Sequence, residues 1–477
     1  MNAKADVSHP RFWTILAIIL SAAMLYEGTG LHPNWWITWF AVIPVLLVAP
    51  LPAGRVAFAA AFLAWTLGGL NQWHYLHDLL ETPVIVCVAA LFLPAFFFGL
   101  TVLLYRWLLR RGGVWQAPLG FAAAWVSFEY INSSLSPHST FGSIAYSQMN
   151  YPPALQIASI TGIWGISFCL FAWPAMAAVR MSGYCSERQK RAVATAAGLM
   201  MAIVLGYGYV RLYLPLPSKT VTVGLVASDL KQNLLGEEPD DAMRVLRGYA
   251  AQVPGLAAQG AQVVVMPEKV AVVLDSYQDA MDALFRTAAE QNKTGILIGT
   301  IHVTPAAKWN EARLYLPDGK VEVYEKHHML PAYEAHLKAG VERTVFSEPS
   351  GLWGVTICKD MDFPKLSREY GRDGIGLLLT PAWDFTADGW LHGRMAVLRG
   401  VEDGFSMARA AKQGILTVTD DRGRVLAERR TGEEPFTTLV AQVPVRHDTT
   451  FYASFGDWFA WLCMATVVVA VAWRRKA

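Results

Sequence analysis

Apolar residues dominate two stretches of the chain, residues 12–210 and residues 455–473. A bilayer core of about 30 Å requires about 20 mostly apolar residues per helix. The sequence therefore predicts eight membrane-spanning segments, near residues 12–26, 35–52, 56–73, 83–105, 115–131, 154–179, 192–212 and 455–473. The first segment is short enough to be a signal peptide. No clean Ala-x-Ala-like site follows it and further spans come directly after, which favours a retained helix.

Between these stretches polar residues return, and short apolar runs alternate with amphipathic ones. The runs predict strands near residues 221–227, 262–266, 295–303, 352–357, 375–380, 405–410, 414–419, 424–429 and 437–443, and a hairpin over 312–325. Helices are predicted near residues 240–259, 276–291, 364–372 and 390–404. Strands that alternate with helices are typical of a layered α/β domain. The chain thus divides into a bundle of seven transmembrane helices (1–217), a polar domain (218–448), and an eighth transmembrane helix with a basic tail (449–477).

Composition supports a membrane protein and excludes several other classes. Charged residues make up 16% of the chain, against about 25% in ordinary globular domains. The 40 basic and 38 acidic residues give a net charge of +2, too even for a protein that binds nucleic acid. With 54% hydrophobic residues the chain is not disordered, and five cysteines are too few for a disulfide scaffold.

The basic residues predict the orientation of the chain in the membrane. Alternate connections carry all the Lys and Arg of the short loops, namely Lys4 and Arg11, Arg55, Arg106, Arg110 and Arg111, Arg180, Arg188, Lys190 and Arg191, and finally Arg474, Arg475 and Lys476. The intervening loops near 27–34, 74–82 and 132–153 contain none. Because cytoplasmic loops are rich in Lys and Arg, both termini are expected in the cytoplasm, and the polar domain on the opposite side of the membrane.

Cys358 is the one cysteine of the polar domain. It follows the predicted strand 352–357, so its sulfur is expected at the carboxyl edge of a sheet, where ligand sites of α/β folds gather. An unpaired thiol in an oxidising compartment suggests a reactive group. A buried structural cysteine is an equally open interpretation of this residue alone, because cysteine packs well as a small hydrophobic side chain.

Glu268 and Lys326 also come directly after predicted strands. If the three side chains converge, the carboxylate can take the proton of the thiol, and the thiolate can attack a carbonyl carbon to form a thioester. The ammonium group can stabilise the oxyanion that develops. Each of the two charged residues by itself is better explained as half of a surface ion pair, and only the combination with Cys358 favours a site.

Three segments resemble the signatures of the nitrilase, or carbon–nitrogen hydrolase, superfamily: Met266-Pro267-Glu268, Tyr324-Glu325-Lys326-His327-His328 and Cys358-Lys359-Asp360-Met361-Asp362-Phe363-Pro364. The resemblance implies an αββα sandwich, with Glu268 as general base, Lys326 as oxyanion stabiliser and Cys358 as nucleophile. Glu334, in Leu330-Pro331-Ala332-Tyr333-Glu334, matches a second glutamate that orients the site in that superfamily. The resemblance implies no cofactor. The nearby His327, His328 and His336 do not form a set with the logic of a metal site.

The membrane half narrows the resemblance to the bacterial apolipoprotein N-acyltransferase family. Segments 142–148, 161–168, 451–452 and 456–458 resemble segments of that family. The family implies an α/β nitrilase-like domain inserted before the last helix of an eight-helix bundle in the bacterial inner membrane, with the catalytic domain facing the periplasm or exterior. It also implies a phospholipid as acyl donor and a lipidated protein or peptide as acceptor. Lys359-Asp360 and Pro381-Ala382-Trp383 depart from the family pattern and look more like soluble nitrilase relatives.

Two other functions compete with this hypothesis. A membrane-anchored amidase would use the same three side chains to hydrolyse a small amide. A receptor or scaffold would keep the fold without turnover, and its function would survive Cys358→Ala.

Overall fold

A computed structural model describes residues 10–215 and 219–472. Within them the chain forms two compact units. The first contains the residues up to Ser136, Thr140–Leu212 and the residues from Phe455 onward. The second contains Pro137–Ser139 and Tyr213–Ser454. The predicted domain boundary at 217/218 and the basic residues Lys4, Arg474, Arg475 and Lys476 lie outside the described residues.

The first unit is helical. Its α-helices are Pro10–Gly28, Trp35–Thr38, Ile43–Val48, Gly54–Gly69, Val84–Arg110, Gln116–Leu135, Pro152–Leu155, Ala158–Thr161, Ile163–Met181, Glu187–Tyr213 and Trp458–Ala472. Among the described residues, four of these helices are long and apolar enough to cross a membrane, namely Pro10–Gly28, Val84–Arg110, Ile163–Met181 and Glu187–Tyr213. Shorter apolar helical segments occupy Trp35–Val48 and Trp458–Ala472.

Two of the predicted spans are wrong as continuous helices. Segment 35–52 is split into Trp35–Thr38 and Ile43–Val48, and Pro44 lies in the first turn of the second piece. Proline lacks the N–H that a helix interior needs, so it favours the start of a helix. Segment 154–179 is interrupted at Gly162, whose φ of 65° a right-handed helix cannot accommodate. Neither interruption can be recognised from the hydropathy of the sequence alone.

The segments around 161–168 and 456–458 meet inside the first unit. The indole Nε1 of Trp164 donates to Asp457 over 2.9 Å, and that of Trp458 donates to the carbonyl oxygen of Ile160 over 2.8 Å. Residues almost 300 positions apart in sequence are thereby joined at the start of the helix Trp458–Ala472. Hydrogen bonds of this kind satisfy polar groups among apolar helices.

The second unit consists of strands and helices. Its strands, in chain order β1 to β13, are Thr220–Ala227, Val263–Val265, Val272–Leu274, Gly295–Val303, Lys308–Tyr315, Val321–Glu325, Thr344–Glu348, Gly351–Val355, Leu377–Trp383, Ser406–Lys412, Ile415–Thr419, Val425–Arg430 and Thr437–Pro444. Its α-helices are Lys231–Leu234, Pro239–Ala250, Val253–Ala257, Asp275–Asn292, Pro331–Glu334, Pro364–Asp373, Gly389–Asp403 and Phe451–Phe455. The short strands β3 and β7 were not predicted from the sequence.

Two sheets face each other. One has the order β13-β1-β2-β4-β5-β6 with β3 paired to β4, and the other has the order β12-β11-β10-β9-β8-β7. Apolar residues from both sheets, among them Leu225, Val355 and Leu379, form one buried cluster. A second cluster joins the outer face of the first sheet to the helices Pro239–Ala250 and Asp275–Asn292. The predicted layered α/β domain is confirmed.

Parallel pairing determines which loops lie at the same edge. β1 pairs in parallel with β2, and β2 with β4, so the loop after β2 leaves the carboxyl edge of the first sheet. β8 pairs in parallel with β9, so the loop after β8 leaves the carboxyl edge of the second sheet. The backbone N–H of Glu268 donates to the carbonyl oxygen of Ala382 in β9 over 3.4 Å. This contact brings the two edges together.

Candidate active site

Four residues singled out from the sequence lie in loops or a short helix beside these edges. Glu268 follows β2, Lys326 follows β6, Cys358 follows β8, and Glu334 ends the helix Pro331–Glu334. Lys326 is held by its backbone, because its N–H donates to the carbonyl oxygen of Asn310 and its own carbonyl oxygen accepts from Gly340, each over 2.8 Å.

Lys326 joins the two glutamates directly. Its Nζ donates to Oε1 of Glu268 over 2.8 Å and to Oε2 of Glu334 over 2.7 Å. All three side chains are 1–2% exposed. Bridging by a buried ammonium group gives both carboxylates a fixed position and leaves few alternative arrangements.

Two residues that sequence reasoning missed complete this network. The Nδ2 of Asn310 donates to Oε1 of Glu268 over 2.7 Å and to Oε1 of Glu334 over 2.9 Å. Lys269 donates from Nζ to Oε1 of Glu334 over 2.6 Å and lies 3.9 Å from Oε1 of Glu268. The position of Lys269 next to Glu268 in the sequence was the signal that could have indicated its place in the network. Asn310 lies just before the predicted hairpin (312–325), and nothing in the pattern distinguishes it.

The charges determine the protonation of the network. Burial by itself lowers the pKa of Lys326, but the carboxylates of Glu268 and Glu334 outweigh it and hold that pKa well above the ordinary value. Burial by itself raises the pKa of Glu334, but the ammonium groups of Lys326 and Lys269 outweigh it and hold that pKa well below its usual range. Both groups are therefore charged at neutral pH.

Close backbone approach positions Glu268. A Cβ placed on Gly299 of β4 would lie 2.6 Å from the Cα of Glu268 and 2.7 Å from the carbonyl oxygen of Pro267. A side chain there would displace the loop that carries Glu268, so only glycine fits. The Gly299 N–H donates to the same Pro267 oxygen over 3.0 Å, which fixes the loop against the strand.

Cys358 has a backbone conformation that is uncommon for a side-chain-bearing residue. Its φ is 44°, and it begins a 3-10 turn over Cys358–Asp362. Such a conformation persists only where the surroundings enforce it. The Sγ of Cys358 lies 3.6 Å from the carbonyl oxygen of Trp383 in β9, and the residue is partly accessible.

The electrostatic surroundings of Cys358 connect it to the network. Burial raises the pKa of the Cys358 thiol well above its ordinary value, and the charge of Glu268 raises it further, whereas Lys326 and Arg409 act in the opposite direction. The thiol is therefore protonated at rest. A nucleophile in this state needs a base at the moment of attack.

Asp360 ties segment 324–328, which contains Lys326, to the turn that begins at Cys358. Its Oδ1 accepts from the backbone N–H groups of His327 and His328, over 3.2 and 2.9 Å, and from Nδ1 of His328 over 3.0 Å. Its Oδ2 accepts from the hydroxyl of Tyr324 over 2.7 Å and from the N–H of Ile357 over 3.2 Å. Of the three histidines considered for a metal site, His327 and His328 thus contact a carboxylate, His327 through its backbone and His328 also through its ring.

The loop after β9 and the end of β10 lie beside Cys358 and Lys269. Asp384 accepts from Arg409 over 2.6 and 3.0 Å in a buried bidentate pair. The Nζ of Lys412 lies 3.7 Å from the ring centroid of Trp383 and donates to the carbonyl oxygen of Lys269 over 2.8 Å. Burial and the charge of Lys269 hold the pKa of Lys412 well below its ordinary value.

Comparison with known families covers most of the chain. Residues 21–176 match the apolipoprotein N-acyltransferase N-terminal domain, and residues 222–448 match the carbon-nitrogen hydrolase family. The chain belongs to the apolipoprotein N-acyltransferase family. Family membership confirms the resemblance inferred from the sequence. It also indicates that the protein is an acyltransferase.

Two relatives match this chain along nearly their whole length. An apolipoprotein N-acyltransferase of Geobacter metallireducens is 25% identical over 97% of this chain and 96% of the relative. One of Haemophilus ducreyi is 25% identical over 93% of each chain. Among solved structures, Saccharomyces cerevisiae Nit3, a member of the nitrilase superfamily, is 22% identical with a TM-score of 0.42, over 50% of this chain and 95% of that one. An amidase from Nesterenkonia sp. is 22% identical with a TM-score of 0.40, over 49% and 94%.

Proposed function

We propose that this protein moves a fatty acyl chain from a phospholipid to Cys358, and from there to the N-terminal amine of a lipoprotein or a related lipidated acceptor. The observation that carries the proposal is the buried bridge of Lys326 to Glu268 and Glu334, together with the effect of the Glu268 and Lys326 charges on the pKa of the Cys358 thiol. Family membership indicates an acyl-transfer reaction, and it agrees with a phospholipid as donor and a lipidated protein as acceptor.

In the first half-reaction, the Glu268 carboxylate takes the Sγ proton while the sulfur attacks the carbonyl carbon of the phospholipid ester. The new C–S bond places a negative charge on the carbonyl oxygen, which the Lys326 ammonium stabilises. When the C–O bond breaks, the lysophospholipid oxygen leaves with the proton that Glu268 holds. Cys358 then carries the acyl chain as a thioester, and the carboxylate is restored.

In the second half-reaction, the acceptor amine attacks the thioester carbon and Glu268 takes one of its protons. The C–S bond breaks, and the proton passes to the Cys358 sulfur. Glu334 positions Lys326 in both halves, because its Oε2 accepts from the same ammonium group. Each half-reaction uses the same base, which is characteristic of double-displacement enzymes.

A membrane location suits this chemistry. Burial of each CH₂ group contributes about 0.8 kcal/mol, so apolar walls can hold a long acyl chain beside the thiol. We propose eight membrane-spanning segments, both termini in the cytoplasm, and residues 218–448 as the catalytic domain inserted before the last span, on the periplasmic side of a bacterial inner membrane. The four long apolar helices and the segregation of Lys and Arg among the loops support this layout.

A two-stage assay tests the proposal. The purified protein is incubated with a phosphatidylethanolamine carrying one labelled acyl chain, separated from free lipid, and then offered a synthetic diacylglyceryl-cysteine peptide. We expect the label to move to the peptide N-terminus as an amide. Release of the label as free fatty acid with no transfer, together with release of ammonia from small soluble amides, would instead identify an amidase.

A further inference from the structure

The network contains a second ammonium group for which the proposed reaction has no direct use. Lys269 follows the proposed base and reaches back to the carboxylates, with Nζ 2.6 Å from Oε1 of Glu334 and 3.9 Å from Oε1 of Glu268. Its side chain is 15% exposed, against 1–2% for the other members of the network. Two carboxylates and two ammonium groups thus form a cluster of balanced charge.

The backbone of Lys269 is strained in a way that serves this contact. Its φ is 49°, a left-handed conformation that costs a non-glycine residue free energy. The carbonyl oxygen of Lys269 accepts from the Nζ of Lys412, and the next N–H, that of Val270, donates to the carbonyl oxygen of Gly299, both over 2.8 Å. The surroundings therefore enforce the conformation that turns the side chain toward Glu334.

We infer that Lys269 is a positioning residue that balances the charge of the two buried carboxylates, and so sets the pH above which Cys358 becomes reactive. The inference rests on the proposed function in one respect, namely that Glu268 is the base for Cys358. Without Lys269, the single charge of Lys326 would be shared by two buried carboxylates, and one of them would hold a proton at higher pH. A protonated Glu268 cannot accept the thiol proton.

Other charged groups around the cluster do not substitute for Lys269. Lys326 already donates to both carboxylates. Lys412 donates to backbone carbonyl oxygens, and its pKa is lowered by burial and by Lys269. Asp384 and Arg409 pair with each other, and Asp229 accepts from the N–H of Gln413. Asn310 donates to both glutamates but carries no charge.

The test is the pH dependence of Cys358 alkylation by iodoacetamide, read by mass spectrometry of the peptide that contains it. The full-length protein is compared with Lys269→Met, Lys269→Arg and, as a matched loss of one positive charge, Lys320→Met. Lys320 is 71% exposed and pairs with Asp318 in the turn of the hairpin. We expect Lys269→Met to move the midpoint of the profile to higher pH by about one unit. Lys269→Arg and Lys320→Met should keep the wild-type midpoint.

A wild-type midpoint in Lys269→Met would overturn the inference, and so would an equal shift in Lys269→Arg, since that variant keeps the charge. If Lys269→Met does not fold, Lys269→Gly replaces it, because glycine adopts a φ of 49° without strain. Alkylation needs neither phospholipid nor acceptor. A shifted profile in a protein that forms no acyl-enzyme would therefore support the role of Lys269 while contradicting the acyl-transfer proposal.

Discussion

The ammonium group of Lys326 lies 2.8 Å from Oε1 of Glu268, and both side chains are buried. A buried ion pair is weak evidence for stability, since the cost of desolvation offsets most of its attraction. Its value here is geometric, because it fixes a carboxylate and an ammonium group side by side at the junction of two sheet edges.

Replacing Glu268 by Gln should lower the rate of acyl-Cys358 formation by about 10²- to 10⁴-fold, the usual contribution of a general base. The amide has the shape of the carboxylate but cannot take the thiol proton. Intact mass spectrometry over a time course with phospholipid measures the rate. Normal acylation by the variant would remove Glu268 from the role of base.

Glu311→Gln is a matched control for that substitution. Glu311 is also buried, but it neighbours Asn310 in a strand and therefore points to the opposite face. There it pairs with Arg313 and His302. We expect this variant, if it remains folded, to acylate at the wild-type rate.

Glu334 should contribute to the loss of stability of the second unit in acid. The pKa of Glu334 is held well below its usual range in the folded protein. Its contribution to the free energy of unfolding is therefore fully present above the pKa of the unfolded chain, about 4.3. It is lost as the pH falls through the folded value, because the unfolded state then binds more protons. Glu334→Gln should therefore lower Tm at pH 7, and the difference from wild type should narrow below about pH 4. Thermal unfolding in detergent measures this, and a pH-independent difference would contradict it.

Asp360→Asn should weaken the contact between segment 324–328, which contains Lys326, and the turn that begins at Cys358. An amide oxygen replaces one carboxylate oxygen, but the NH₂ group must then face either the Tyr324 hydroxyl or the backbone donors of His327 and His328. Unsatisfied buried donors cost about 1–3 kcal/mol. We expect a lower Tm and slower acylation.

The exposed Asp318→Asn, in the hairpin turn, serves as the control for Asp360→Asn and should change neither Tm nor the acylation rate. If Asp360→Asn matched wild type in both measurements, Asp360 would have no part in holding Cys358 in place.

The sequence predicted most strands of the second unit because their apolar runs are long and their ends are marked by turn residues. β1 and β4 were predicted to within a residue, at 221–227 and 295–303. The missed strands β3 and β7 are only partly buried, whereas β2, which is as short as β3, is buried throughout. In the first unit, helices are interrupted just before Pro44 and at Gly162, within segments that hydropathy predicts as single spans.

The candidate site was predictable only in part. Glu268, Lys326 and Cys358 stand out because each follows a strand. Asn310 and Lys269 were missed because their roles depend on tertiary contacts, from β5 and from a left-handed backbone conformation, that no local pattern encodes. Asp360 looked like a departure from the family pattern, and its five hydrogen bonds emerge only from the folded loop.

The most direct test of the account is the mass of the protein after incubation with phospholipid, followed by peptide mapping. We predict one fatty acyl chain on Cys358, released by neutral hydroxylamine as a thioester is, and lost on addition of a lipopeptide amine. Cys358→Ala should carry no chain, and Cys358→Ser should acquire it far more slowly, since an alcohol is harder to deprotonate than a thiol. An acyl chain attached elsewhere, or full transfer activity in Cys358→Ala, would contradict the account.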